Sequence, residues 1–178
     1  MPPKQRFTRE IILDKAYEMF SKGGMSAVNA RSVSKALNCS TQPLFSYFPD
    51  MSGLRKALIE KGIQDFRCAL AEPEVKGLSV IDRCCAYVRF ASECPMVFLY
   101  LLSGTDTDPC AALMDFPESM LIAESASTGL DRDTLSRAIN ELHIYVHGLA
   151  CIAATGKPVS DPEALIAKAY EAVVQAAR

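Results

Sequence analysis

Apolar residues recur three and four positions apart along nearly the whole chain, and no stretch keeps the alternation of a half-buried strand. The pattern predicts an all-α protein of about nine helices. Its sharpest punctuation lies between Val28 and Phe48, where two short helical segments meet at Asn38-Cys39-Ser40. Asn29 is placed to cap the first segment, which turns Val33, Ala36 and Leu37 to one side. Asn38 takes the place where a turn between helices needs positive φ, a conformation that asparagine adopts at least cost after glycine. Ser40 is expected to cap the second segment, and Pro43 falls in its first turn, where a missing N–H costs little. Leu44, Phe45 and Phe48 form the inward face, which leaves Thr41, Gln42, Ser46 and Tyr47 pointing outward. This order of elements is a helix-turn-helix.

The flanking pattern builds two units around it. Residues 1–6 form a polar arm, and Thr8 caps a helix that carries Ile11, Ile12, Ala16, Tyr17 and Phe20 until Gly23-Gly24 stops it. After Pro49, Asp50 opens a longer helix with Leu54, Leu58, Ile59, Ile63 and Phe66. Further helical patterns cover Val80 to Ala91, Met96 to Leu102, and Leu113 to Ser125 with a kink or boundary at Pro117. A long helix starts at Asp131 or Asp133 and ends before Gly156, and the last opens on Ser160 as cap, Pro162 and Glu163. The expected organisation is a three-helix DNA-binding domain over 1–50 and a larger helical ligand-binding and dimerisation domain over 51–178, with 51–70 as the linking helix. The last two helices hold more apolar residues than one face needs. They are expected to pair with a second copy as a four-helix bundle, giving a homodimer.

Composition narrows the class. At 178 residues and 49 % hydrophobic content, the chain is long and apolar enough for a sizeable core and is not a disordered protein. It has no run of eighteen apolar residues and no apolar leader near its start, so no membrane association is expected and a cytoplasmic location is. Seven cysteines without paired C-x-x-C spacing suggest reduced thiols packed as small hydrophobes. The net charge of −2 conceals an asymmetry: residues 1–60 hold nine Lys/Arg against five Asp/Glu, the remainder ten against sixteen. The basic end coincides with the helix-turn-helix, which points to nucleic acid.

Candidate chemistry in the larger unit is mostly apolar. Phe66, Tyr87, Phe90, Met96, Phe98, Tyr100, Met114, Phe116 and Met120 supply the aromatic and thioether walls of a pocket, with Arg89, Tyr87, His143 and His147 to orient a ligand. For any one of them, a plain place in the core is the alternative. His147 and Cys151 lie four apart, as a base and thiol nucleophile would on one helix, but no orienting acid accompanies them, and no catalytic residue is assigned. His143, His147 and Cys151 span about 12 Å along a helix axis, too far to share one ion. The two histidines, or the cysteines, remain as an alternative metal- or thiol-responsive device. No metal or cofactor is expected.

Over residues 8–59 the chain resembles the TetR-type (tetracycline-repressor-like) transcriptional regulators. The likeness runs through Thr8-Arg9-Glu10-Ile11-Ile12, Ala16, Phe20, Gly24 and Val28, then from Asn29 continuously to Ser40, and Leu44-Phe45-Ser46-Tyr47-Phe48. The larger part is similar to the branch whose ligand domain carries a Trp-His-Gly signature, through Tyr87-Val88-Arg89-Phe90-Ala91, Pro95 and His147-Gly148-Leu149-Ala150. The resemblance implies a homodimeric repressor or activator, here expected to be a repressor, whose two amino-terminal domains enter successive major grooves of a two-fold double-stranded DNA operator. A small apolar or aromatic effector releases it. Carried over by position, Asn29 and Arg31 meet phosphate or base, with Lys35 and Ser40 beside them; Thr41, Gln42, Pro43 and Ser46 read bases, and Tyr47 meets a phosphate. The effector residues are Phe66, Tyr87, Arg89, Phe90, Met114, Met120, His143 and His147. Arg31 could fork onto guanine and Gln42 onto adenine. Three positions depart from the family's habit: Asn38 replaces glycine, Phe45 a tyrosine, and Met51 a phosphate-binding lysine.

Overall fold

A computed structural model describes residues 7–71, 79–103, 116–117 and 128–178. Eight described α-helices and one short 3-10 turn make up the fold, and no strand occurs among the described residues. They are α1 (Arg9–Gly23), the 3-10 turn (Met25–Ala27), α2 (Ala30–Ala36), α3 (Gln42–Tyr47), α4 (Met51–Ala71), α5 (Val80–Glu93), α6 (Pro95–Ser103), α7 (Arg132–Ala154) and α8 (Pro162–Ala176). The helical pattern over Leu113 to Ser125, Met114 and Met120 included, lies outside the described residues apart from Phe116 and Pro117.

Most helix starts are fixed by one side chain. Thr8 accepts the Ile11 N–H at 3.3 Å, Asp50 that of Gly53 at 2.8 Å, and Asp131 those of Asp133 and Thr134. Asn29 and Ser32 cap each other's backbone reciprocally, as do Ser79 and Asp82. Each such cap is worth about 1 kcal/mol. Two expected caps are displaced by a residue. Helix α3 begins at Gln42 with Thr41 in the cap position and no side-chain bond, so Ser40 caps nothing. At α8 the cap is Asp161, at φ 47°, whose carboxylate accepts the Ala164 N–H at 3.1 Å; Ser160 stands one position too early.

The small unit closes around Ile12, Ala16 and Phe20 of α1, Val33 of α2, and Leu44 and Phe48 at α3, all 2 % exposed or less. Asn38 holds φ 54°, and Cys39 N–H reaches Ser34 C=O at 2.9 Å, which closes the turn between the two short helices. Two inward assignments are corrected. Ala36 is exposed and Ser34 is buried in its stead, because the buried arc of α2 runs from Val33 through Leu37 to residue 34, and residue 36 falls on the far side of Val33. Phe45 is 43 % exposed, since Leu44 and Phe48, four apart, already fill the inner face of a six-residue helix.

In the larger unit α5 packs on α4, α7 and α8, and α6 lies against α1, α4, α5 and α7. The apolar core runs without interruption from Ile12 to Ile166. Helix α4 carries Leu54 and Leu58 near its start and Phe66 toward its end into this one core. Two glycines let α6 come close. A Cβ at Gly24, whose φ is 72°, would lie 2.7 Å from Met96 Cε, and one at Gly62 would lie 2.9 Å from Val97 Cγ1. Phe20 of α1 and Tyr100 of α6 meet edge to face at 5.3 Å.

The turn conformation yields a direct test. Asn38→Gly should leave the urea unfolding free energy unchanged or slightly higher, whereas Asn38→Val should lower it by about 1–2 kcal/mol through the left-handed backbone it must adopt.

Candidate functional site

The surface of α2 and α3 is polar and largely uncommitted. Asn29, Arg31, Lys35, Ser40, Thr41, Gln42 and Ser46 are exposed, and Pro43 and Tyr47 are half-buried. Arg31 and Lys35 stand one turn apart on α2. Neither takes part in an ion pair among the described residues, where the pairs are Lys15 and Lys22 with Glu18 and Lys61 with Asp14. Their charges are therefore available to an anion.

Three polar groups on this surface are already engaged. The Asn29 side-chain oxygen accepts the Ser32 N–H at 2.9 Å, which leaves its NH₂ to donate outward. Ser46 donates its hydroxyl proton to the Gln42 carbonyl at 2.9 Å and so faces outward as an acceptor. Tyr47 donates to the Phe7 carbonyl at 3.1 Å, tying α3 to the residue just ahead of the α1 cap. Phe45 sits beside Gln42, on the side away from Ser46, as an exposed apolar element of this surface. The four-residue spacing of Leu44 and Phe48 was the signal that could have placed it there. Met51 is half-buried against the core.

The second constellation is buried. Tyr87, fully enclosed in α5, is surrounded by Phe66 at 5.4 Å, Phe98 at 5.7 Å, Phe116 at 4.9 Å, His143 at 5.8 Å and His147 at 6.0 Å between ring centroids. Its hydroxyl lies 2.7 Å from His147 Nδ1. The two imidazoles are 5.8 Å apart, and Phe90 joins through Phe66 at 5.2 Å. His143 is 7 % exposed, and its Nε2 has no hydrogen-bond partner among the described residues. Burial, reinforced by the neighbouring His147, lowers the His143 pKa to about 4, and burial lowers that of His147 as well. Both rings are neutral at pH 7.

The fold thus brings together Phe66, Tyr87, Phe90, His143 and His147, with Phe98 and Phe116 from the wider aromatic set. Arg89 does not fit that group: two positions beyond Tyr87, it lies on the exposed far side of α5. Tyr100 turns to Phe20 and Met96 to Gly24. Arg83 was missed by sequence reasoning. It lies one turn before Tyr87, half-buried, and its Nε is enclosed without a hydrogen bond among the described residues.

The competing chemistries find little support in this geometry. Burial raises the Cys151 pKa, the reverse of an activated nucleophile, and the Cys84 thiol is pushed up to about 12 by burial and by Cys85. Among the described residues no group of three or more His, Cys, Asp or Glu could hold a metal ion. No single described helix is long and apolar enough to cross a membrane. On α7, however, Ile144 (74 % exposed), Gly148 and Ile152 (47 %) follow each other at four-residue spacing with Tyr145 beside them, an apolar stripe open to solvent.

Residues 12–58 match the family model of the bacterial regulatory proteins, tetR family. Solved structures share the fold over nearly the full length. One described as a TetR-family transcriptional regulator from Rhodococcus sp. is 18 % identical, with 93 % of this chain and 98 % of that one covered and a TM-score of 0.66. A TetR-like transcriptional regulator from Rhodococcus sp. RHA1 is also 18 % identical, with 99 % and 96 % covered and a TM-score of 0.66. Salmonella enterica GusR is 15 % identical, with 96 % and 100 % covered and a TM-score of 0.59. No curated protein matches the chain. Three small helices with a helix-turn-helix arrangement, joined to a larger helical unit, make up the architecture that these structures share. Residues 12–58 are thus similar to the tetR family model, and the chain shares the fold of these solved structures.

The buried imidazole makes stability depend on pH. Folded His143 stays neutral down to about pH 4, whereas the unfolded ring takes up its proton near 6.5. Between those values the unfolded state binds more protons, so stability falls as pH drops from about 6.5 to about 4 and is unaffected by this group above 6.5. Urea midpoints across that window should fall less steeply for His143→Phe than for the unaltered protein. Parallel slopes would refute the assignment.

Proposed function

We propose that the protein is a homodimeric repressor that holds a two-fold operator in double-stranded DNA through α2 and α3 and is released by a small apolar or aromatic effector. It acts at DNA in the cytoplasm and is not an enzyme. The observation that carries this reading is the continuity between an uncommitted DNA-facing surface and a buried aromatic cluster. Helix α6 belongs to both: Phe98 packs on Tyr87 at 5.7 Å, while Tyr100, two residues on, packs on Phe20 of α1 at 5.3 Å. A guest beside Tyr87 that displaced Phe98 would therefore move α6 against α1, and with it the small domain. To reverse occupancy from 1:99 to 99:1 the effector must prefer one arrangement by about 5.5 kcal/mol.

The division of labour follows the expected boundaries, with DNA contact over 1–50 and effector binding and dimerisation over 51–178. Arg31 and Gln42 read bases, helped by Thr41 and Pro43, while Lys35, the Asn29 amide and Ser40 serve phosphates. Ser46 offers an acceptor only, and Tyr47 can donate to a phosphate only by releasing the Phe7 carbonyl. Effector contacts come from Phe66, Tyr87, Phe90, His143 and His147. The half-buried Met51 supplies no cation, so the logarithm of affinity should respond to salt by about 0.9 unit less per decade than with a lysine in its place.

Gel-shift titrations on the DNA flanking its gene test the interface. Binding should weaken steeply with salt, and Arg31→Ala should cost about 1–3 kcal/mol at the operator while relaxing preference at one base pair. A loss equal on all sequences would make Arg31 a phosphate contact, and no binding to any DNA would end the reading.

Helices α7 and α8 supply the second copy's docking face in this proposal. The stripe of Ile144, Gly148 and Ile152 is exposed, and its burial would stabilise an isologous pair. Analytical ultracentrifugation should find a dimer that Ile144→Glu converts to monomer, with the helical circular dichroism retained.

A further inference from the structure

We infer that the cluster around Tyr87 is the polar end of the effector site and that it selects an uncharged aromatic molecule carrying a hydroxyl group, bonded to His143 Nε2. This deepens, and rests on, the effector-release reading above. The first observation is the orphaned nitrogen. His143 is more than nine-tenths buried, and its Nε2 has no hydrogen-bond partner among the described residues. Buried polar atoms are rarely left so, and an unmet one points to a missing guest.

The second observation is the wall around it. His143 meets Tyr87 and Phe116 edge to face, each at 5.8 Å, and His147 at 5.8 Å. Such faces and edges match a flat aromatic ring. The third is the state of the neighbour. His147 Nδ1 is engaged with the Tyr87 hydroxyl at 2.7 Å, so that nitrogen is already met, whereas His143 Nε2 is not.

Charge then decides the class of guest. The rings in contact with His143 are Tyr87, Phe116 and His147, none of them a fixed cation, and Arg89 lies on the exposed side of α5. An ionised carboxylate on His143 would lose its water with no cation in contact with that ring, and Arg83, half-buried one turn before Tyr87, would have to be drawn in to offset it. A hydroxyl suits Nε2 in either tautomer, because it can donate to the bare nitrogen or accept from the protonated one. An ammonium or a carbonyl suits only one.

The test uses the full chain and three probes on one skeleton: 4-propylphenol, propylbenzene and 4-propylbenzoate, titrated calorimetrically. The phenol should bind about ten-fold more tightly than propylbenzene, the size of one net hydrogen bond to a buried partner. His143→Phe should remove that preference while propylbenzene still binds, and His143→Gln, which keeps an amide at the site, should restore part of it. Thermal melts of both variants establish that they are folded. His143→Phe should melt no lower than the unaltered protein, since it removes an unmet polar atom.

Equal binding of phenol and propylbenzene overturns the inference, and so does a preference that survives in His143→Phe, the outcome expected if only a water meets Nε2. Tighter binding of the benzoate, lost in Arg83→Ala, overturns it in favour of an acid. Binding of none of the three overturns it as well. Operator release measured in the same samples separates the two ideas. Release without hydroxyl preference rejects the anchor alone; hydroxyl-selective binding that leaves the DNA bound rejects the effector-release reading alone.

Discussion

The close approach of α6 to α1 and α4 governs how the two halves of this protein relate. Gly24 and Gly62 leave room for Met96 and Val97, where any side chain on either glycine would meet α6 at under 3 Å. Across that seam the core does not thin out, so the helices of the small unit and those around Tyr87 share one core. Interiors at this density do not yield smoothly; a shift at one end is passed on or refused. Separate domains on a flexible tether could bind DNA and a small molecule independently. A shared core cannot keep those events apart.

Much of this architecture was legible because its causes are local. Thr8, Asn29, Asp50 and Asp131 cap the helices they precede, and Asn38 adopts the backbone its position demands. Each depends on only a few neighbouring residues. Ser40 and Ser160 failed for a related reason: two adjacent residues could each cap, and the choice was made by Pro43 and Pro162 and by the packing behind them. Phe45, Ala36 and Arg89 were harder. Their side depends on which arc of a short helix the rest of the protein covers, and hydrophobicity alone assigned Phe45 to the interior when Leu44 and Phe48 had already filled it.

The candidate sites divide along the same line. The exposed polar side of α2 and α3 could be read from order and spacing, although the internal bonds of Ser46 and Tyr47 could not. For the buried cluster, the residue types were evident and the grouping was not. Tyr87 and His147 are sixty positions apart, and only the packing of α5 on α7 sets them 2.7 Å from each other. That packing also leaves a polar nitrogen unmet inside aromatic walls, a cost the folded state carries at a place where a guest could relieve it.

The exposed side of α3 has a consequence for how such a regulator can change over generations. Its core obligations rest on Leu44 and Phe48, and Thr41, Gln42, Phe45 and Ser46 carry almost none. If α3 reads DNA as proposed, substitutions at those four positions would alter which DNA is preferred while leaving the fold intact. Duplicated copies of the gene could then diverge toward new operators one base pair at a time, without passing through an unstable intermediate. The residues that hold the scaffold and those that address it are interleaved in the chain, yet they answer to different selection.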